Sequence, residues 1–294
     1  MADYRLSSAH CHSNLCDGKN TLQDMALAAW KQGMQTLGFT GHSHTPCDLE
    51  YCMSPGRTSQ YKADITRLKA QYAGKLEILC GLEWDQFSDT DPAGYDYFIG
   101  SVHYICGPKT GRYYEIDWRE QDLQECMDNE FDGDGLAMAE HYFAQVEKVA
   151  EKHPDILGHF DLIKKINGEG KFFDEASPRY QQAALHALEK AFAGCKLLEI
   201  NTGAVSRGFR KDFYPADFLL AKWHELGGDV IITSDSHSTD TLTAYFDEAA
   251  EAARKAGFTR VMVLTGHGFE PCELLCAEKT KDFLCARRFG GHFF

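Results

Sequence analysis

Two histidines one residue apart close the short run Tyr4-Arg5-Leu6-Ser7-Ser8-Ala9-His10-Cys11-His12. In an extended strand the side chains repeat with period two, so His10 and His12 face one way and Cys11 the other. Imidazole is the commonest protein ligand for borderline divalent metals, so such a pair opens a metal site if further ligands converge on it. Six more residues of ligand type recur in one kind of place. His42, Glu83, His103, His159, Asp235 and His237 each fall at or just past the C-terminal end of an expected strand, and Asp17 lies in the polar loop after His12. Imidazole and carboxylate without thiolate suit Zn, Mn or Fe(II). Nine such residues exceed the needs of one four-coordinate ion and fit a multinuclear cluster. By contrast, His141, His153, His186 and His224 fall in or at the ends of expected helices.

The elements that must carry these residues alternate. Short β-rich runs end at His12, at Thr40, at Cys80, at Val102, at Leu157, at Ile200, at Thr233 and at Leu264. Between them the apolar spacing predicts helices over roughly 21–33, 58–73, 136–152 and 178–193, one opening at Pro215, and one over about 239–256. Thr21 reads as a helix N-cap and Pro215 as a first-turn residue. Residues 106–134 read as an elaborated acidic, aromatic loop. Strand and helix in alternation argue for a parallel sheet with helical crossovers, and seven or eight units without a linker favour a closed β/α barrel. In such a barrel the C-terminal strand ends converge on one face, where the chemistry is built. The expected organisation is one barrel domain over 1–270 and a Cys/Arg-rich tail over 271–294.

Composition narrows the partners. The chain has 294 residues, 44% hydrophobic and 25% charged, enough for one large α/β core. No run of 18 apolar residues is present, which predicts no membrane span, and the first residues lack a signal pattern, which points to the cytoplasm. The 11 scattered cysteines contain no Cys-x-x-Cys pair and read as buried thiols of a reducing compartment. A formal charge of −14 without a basic stripe disfavours an extended nucleic-acid partner. Oligomeric state is not written in these patterns.

Six stretches in order carry a resemblance: Ser8-Ala9-His10-Cys11-His12, Gly38-Phe39-Thr40-Gly41-His42-Ser43, Gly81-Leu82-Glu83, Ser101-Val102-His103, Gly158-His159-Phe160-Asp161 and Ser234-Asp235-Ser236-His237. Together they resemble the motifs of the PHP (polymerase and histidinol phosphatase) superfamily over residues about 5 to 265. Glu199-Ile200-Asn201-Thr202-Gly203 and Ser206-Arg207-Gly208-Phe209-Arg210 are similar to its histidinol-phosphate phosphatase branch. The resemblance implies a distorted (β/α)7 TIM-like barrel and three divalent metal ions (Zn, Mn or Fe). One ion would take His10, His12, Glu83 and Asp235; a second would share Glu83 with His103 and His159; a third would take Asp17, His42 and His237. The chain departs from the pattern at Gly41, where relatives often carry an Asp that would orient the following histidine.

The implied reaction is hydrolysis of a small phosphomonoester, L-histidinol phosphate first, as a step of histidine biosynthesis. A hydroxide bridged between two ions at Glu83 would attack phosphorus directly, and Asp235, His237 or Asp161 would supply the proton to the leaving alkoxide. Arg207 is the first candidate for a phosphate clamp, with Arg210, Lys165 and Lys164 behind it. Glu115, Asp117 and Asp85 could line an acidic wall for the cationic end of that substrate. Three alternatives stay open: another phosphomonoester or nucleotide, a non-catalytic metal-binding barrel, and an amidohydrolase. The paired Asp235-x-His237 and the strand-end Glu83 disfavour the last.

Overall fold

The computed structural model describes residues 3–274. A 3-10 turn leads into β1 (Ser7–Ser8), followed by α1 (Leu22–Lys31), β2 (Thr36–Phe39), α2 (Pro55–Gln71), β3 (Glu77–Asp85) and β4 (Tyr97–Ser101). Next come β5 (Tyr104–Cys106), β6 (Tyr113–Glu115), α3 (Glu120–Phe131), α4 (Gly135–Ala150) and β7 (Ile156–Leu157). The series closes with α5 (Pro178–Gly194), β8 (Leu197–Asn201), α6 (Gly203–Ser206), α7 (Asp217–Glu225), β9 (Asp229–Thr233), α8 (Phe246–Lys255), β10 (Arg260–Thr265) and β11 (Gly268–Glu273). Helix starts follow local chemistry. Thr21 accepts from the Asp24 N–H while the Asp24 carboxylate accepts from the Thr21 N–H, a complete capping box before α1. Ser54 caps α2 with Pro55 in its first turn.

The sheet runs β1-β2-β3-β4-β7-β8-β9-β10-β11, parallel except for the last pair. It curls until its ends meet. Past β9, Ser236 bridges Cys11 past β1: His12 N–H donates to Ser236 O at 2.8 Å and Ser236 N–H donates to His10 O at 3.2 Å. At that upper rim the ring therefore runs from β9 straight to β1. Lower down β10 fills the seam, with Ser7 Oγ donating to Leu264 O at 2.8 Å. The result is a distorted β/α barrel.

Strands buried on both faces divide their side chains by period two. Ile78, Leu82, Leu157, Leu198, Val230 and Ile232 pack outward under the helices. Ala9, Leu79, Tyr97, Ile99, Ile156, Leu197, Ile231 and Leu264 form a second cluster that fills the lower interior. Tyr97 crosses that interior to donate to Ala9 O at 2.7 Å. Gly38 and Gly81 make its room: a Cβ on either would fall 2.0 Å and 2.6 Å from the Tyr97 phenol. Two to six residues above this floor, the same inward-facing positions become polar. Glu83 and Asp85 lie above Leu79, Ser101 and His103 above Ile99, Glu199 and Asn201 above Leu197, and Thr233 and Asp235 above Ile231.

Three expectations change. Residues 106–134 are no plain loop: β5 pairs antiparallel with β6, and α3 follows. Helix α8 starts only at Phe246, since Tyr245 before it takes a left-handed φ of 61°. The sheet extends past the expected barrel boundary through β11, which includes residues 271–273; the rest of the expected tail, from 275, lies outside the described residues. No helix among the described residues is long and apolar enough to cross a membrane.

Candidate metal centre

All nine expected ligand residues meet at the upper rim, and Glu83 is their hub. Its Oε2 lies 3.2 Å from His10 Nε2, 3.4 Å from His12 Nε2 and 3.0 Å from His42 Nδ1. Its Oε1 lies 2.8 Å from His159 Nε2 and 3.3 Å from His103 Nε2. Asp235 Oδ1 stands 3.1 Å from His12 Nε2 and 3.6 Å from His10 Nε2. On the solvent side Asp17 reaches His237 Nε2 at 2.9 Å, His12 Nδ1 at 3.4 Å and His42 Nε2 at 3.6 Å. Asp235 holds a left-handed φ of 47°, a strained backbone for a non-glycine residue beside a site.

Whether this set fits metal ions is a question of unsatisfied atoms. His10 Nε2, His12 Nε2, His42 Nδ1 and Glu83 Oε2 are buried without a hydrogen-bond partner. Buried polar atoms are ordinarily paired, so a concentration of orphans in one place points to a missing partner. Tautomers sharpen the point. His10 Nδ1 lies 2.6 Å from Glu199 Oε1 and so carries its proton there, which turns the Nε2 lone pair toward the oxygens of Glu83 and Asp235. His103 repeats the arrangement, with Nδ1 3.1 Å from Asp85 Oδ2 and Nε2 aimed at Glu83. A lone pair facing carboxylate oxygens is repulsive unless a positive charge, a ring proton or a metal cation, lies between them. Three overlapping sets have ligand atoms within 4.8 Å of one another: His12, Asp17, His42 and His237; His10, His12 and Glu83; and His42, Glu83 and His103. The donors are the nitrogen and oxygen types that divalent transition metals take, and they fit.

The field agrees. Burial opposes ionisation of Glu83, yet His42, His10 and His103 hold its carboxyl well below the usual range. For Asp235 burial is likewise outweighed, by Arg207 first and then His10. Burial and the neighbouring His237 and His42 push His12 down to about 3, so it is neutral with a lone pair to offer at neutral pH. Burial also works against charge on His10, but Glu199, Glu83 and Asp235 outweigh it and raise the imidazole well above its ordinary value. The cluster demands positive charge.

A cavity of about 890 Å³ opens above it. Arg207 and Lys165 are in its wall. Arg207 Nη1 donates to Asp235 O at 2.8 Å and lies 2.9 Å from His237 Nδ1, while Nη2 donates to Asp235 Oδ2 at 3.1 Å. Lys165 Nζ donates to Asp117 Oδ2 at 2.7 Å. Arg210 is elsewhere: its guanidinium is taken by Glu175, Asp212 and Lys164 O, outside the cavity wall. Lys164 is fully buried against Asp161 and Asp212, so neither Lys164 nor Asp161 faces the cavity. Asp85 is buried under His103, accepting from its backbone N–H at 3.0 Å, and does not join the acidic wall. His44 lies 2.7 Å from Asp89 and gives His42 no support. A Cβ on Gly41 would fall 3.1 Å from the Met53 thioether and 3.5 Å from Cys16 Sγ, so the space an aspartate would use is filled.

Glu199 is the residue whose part in the site its sequence surroundings conceal. It was legible only as one member of a motif; the signal is a carboxylate at an inward-facing position of the apolar strand Leu197-Leu198-Glu199-Ile200.

A profile of the PHP domain matches residues 8–203. The chain belongs to the PHP family. Two relatives match most of its length. A probable histidinol-phosphatase of Deinococcus radiodurans is 29% identical over 268 residues, covering 86% of this chain and 94% of its own. The histidinol-phosphatase of Bacillus subtilis is 25% identical over 256 residues, covering 78% and 92%. Among solved structures, the histidinol phosphate phosphatase of Lactococcus lactis, complexed with Zn, L-histidinol and phosphate, superimposes with a TM-score of 0.68 at 22% identity, covering 90% of this chain and 98% of the other. At that identity the likeness establishes the shared PHP barrel.

Proposed function

We propose that the chain is a metal-dependent phosphatase that hydrolyses L-histidinol phosphate to L-histidinol and phosphate. The observation that carries this reading is one cavity that brings together three things: a cluster of unsatisfied metal donors, Arg207 in its lining, and the acidic residues Asp48, Glu115 and Asp117 in the same lining. Family membership and relatives named histidinol-phosphatase support the substrate. Three divalent ions, of Zn, Mn or Fe type, fit the three overlapping donor sets, with His12 and His42 each belonging to two. A cytoplasmic location belongs to the same reading and rests on the sequence.

Bound divalent cations supply Lewis-acid charge to the phosphoryl oxygens and acidify water for hydrolysis. The chain's own residues do the rest. Glu83 belongs to two of the three donor sets and keeps its charge despite burial. Arg207 spends three contacts on Asp235 and His237, and a guanidinium has five N–H donors, so two remain for a phosphate oxygen. Asp235 and His237 line the cavity where a leaving alkoxide would need its proton, whereas Asp161 does not. The test is phosphate release by metal-loaded protein from L-histidinol phosphate against a panel of phosphomonoesters and mononucleotides. Preference for L-histidinol phosphate is expected. Full metal loading without release from it would sink the substrate, and stoichiometric metal without release from any ester would leave a metal-binding barrel.

The acidic wall makes a separate prediction. Asp117 is taken by Lys165, and Asp48 accepts from Tyr104 Oη at 3.1 Å. Among the described residues Glu115 has no ion-pair partner. Burial, then Asp117, Asp48 and Asp122, raise its carboxyl to about 7, so it ionises only as the pH climbs through that value and gains most from a cationic ligand. Glu115→Gln should raise KM for L-histidinol phosphate about tenfold at pH 8, the worth of one charge-assisted hydrogen bond. KM for p-nitrophenyl phosphate, which has no cationic end, should not move, and the effect should fade below pH 7, where Glu115 is already protonated. Equal effects on both esters would remove Glu115 from substrate recognition.

A further inference from the structure

We propose that Glu199 is the positioning residue of the cluster, setting the tautomer of His10 and the placement of His159; this rests on the reading that the cluster holds divalent ions. Glu199 is fully buried on β8, one layer beneath the donors. Its two oxygens collect four donors from around the barrel. Oε1 takes His10 Nδ1 at 2.6 Å and Thr233 Oγ1 at 2.6 Å; Oε2 takes the His159 backbone N–H at 2.6 Å and Asn201 Nδ2 at 3.0 Å. Residues past β1 and β7 are thereby tied to β8 and β9 through one side chain. None of these partners is a metal-facing atom. His10 turns its other nitrogen to Glu83 and Asp235, and His159 turns Nε2 to Glu83 Oε1.

A carboxylate that accepts from one imidazole nitrogen fixes the proton there, orients the ring, and makes the opposite nitrogen a better ligand. Glu199 does this for His10 while its second oxygen holds the backbone that presents His159. Glutamine has the same shape but must put an NH2 on one side. Facing His10, that NH2 forces the proton onto Nε2, where it blocks a metal. Facing His159, it sets donor against donor at the loop that carries the ligand. No conformer satisfies all four partners.

The test uses full-length protein loaded with Zn2+, Mn2+ or Fe2+ in turn. Metal affinity is measured by chelator competition with elemental analysis, and the imidazole 15N spectrum is recorded with and without Zn2+. Glu199→Gln should weaken affinity at one or more positions by about 10- to 100-fold. It should also shift the His10 proton from Nδ1 toward Nε2, a change that a purely structural role would not produce. If Glu199→Gln does not fold, Glu199→Asp, which keeps the charge but withdraws it by one methylene, should fold and show the same loss. A folded variant with wild-type affinity and wild-type His10 tautomer overturns the inference, as does unfolding of both variants, which would make Glu199 architectural. Wild-type protein that takes up no metal refutes the metal reading as well; wild-type uptake with an indifferent variant refutes Glu199 alone.

Discussion

Glu83→Gln should lower the rate of phosphate release by at least about 10³-fold, because it removes the shared anion from donor sets whose ions would supply several kcal/mol of transition-state stabilisation. The expectation follows from position. One oxygen stands within 3.4 Å of three histidines and the other within 3.3 Å of two more, so the substitution touches every set except that around Asp17. Elemental analysis should find fewer ions per chain, and circular dichroism should find the barrel intact, because the packed core of Leu79, Ile99 and Ile231 lies below the cluster. His10→Ala and His12→Ala should behave alike, each emptying a metal position and abolishing turnover. Global unfolding of these variants would instead identify the cluster as a structural element, and retained turnover would remove Glu83 from the reaction.

Arg207→Ala should raise KM for the phosphate ester by about 30-fold or more, the loss of a charge-assisted fork contact of about 2–3 kcal/mol. The sequence suggests a clamp independent of the metals. Its contacts say otherwise: the guanidinium also holds both the backbone oxygen and the carboxylate of Asp235, in the strained conformation of that residue. Metal content at saturating ion should therefore stay constant while the ion concentration needed to reach it rises by up to about tenfold. Arg207→Lys keeps charge but not the fork, and should recover metal affinity more than KM. An unaltered KM in Arg207→Ala would exclude Arg207 from the phosphate site.

The convergence of the candidate ligands was legible because period two is strict and strand ends are marked. His10, His12, Glu83, His103 and Asp235 occupy upper inward-facing places in or just past strands, and a barrel brings such places together whatever their separation in the chain. What depends on contacts across the barrel was not. Asp85 reads as one more acid near a loop, but the same alternation that exposes Glu83 to the cluster seats Asp85 beneath His103. Arg210 sits three residues beyond Arg207 and reads like a second clamp. The short α6 turn directs it away, into Glu175 and Asp212. Helix α3 hid in a stretch flanked by Gly107, Gly111, Gly133 and Gly135, with acids in its first turn that equally suit a solvated loop.

Tyr97 gives the barrel a sealed base. Its phenol lies across the two glycines, bonded to Ala9 O, with Ile99, Ile156 and Ile231 around it. Among the described residues, the cluster therefore opens along the barrel axis at the mouth, past Leu49, Trp118 and Phe209, which stand 63%, 67% and 48% exposed on three separate loops. One doorway imposes a queue. Under the proposed reading, an ester bound above the cluster would stand in the path of any ion entering through the same mouth.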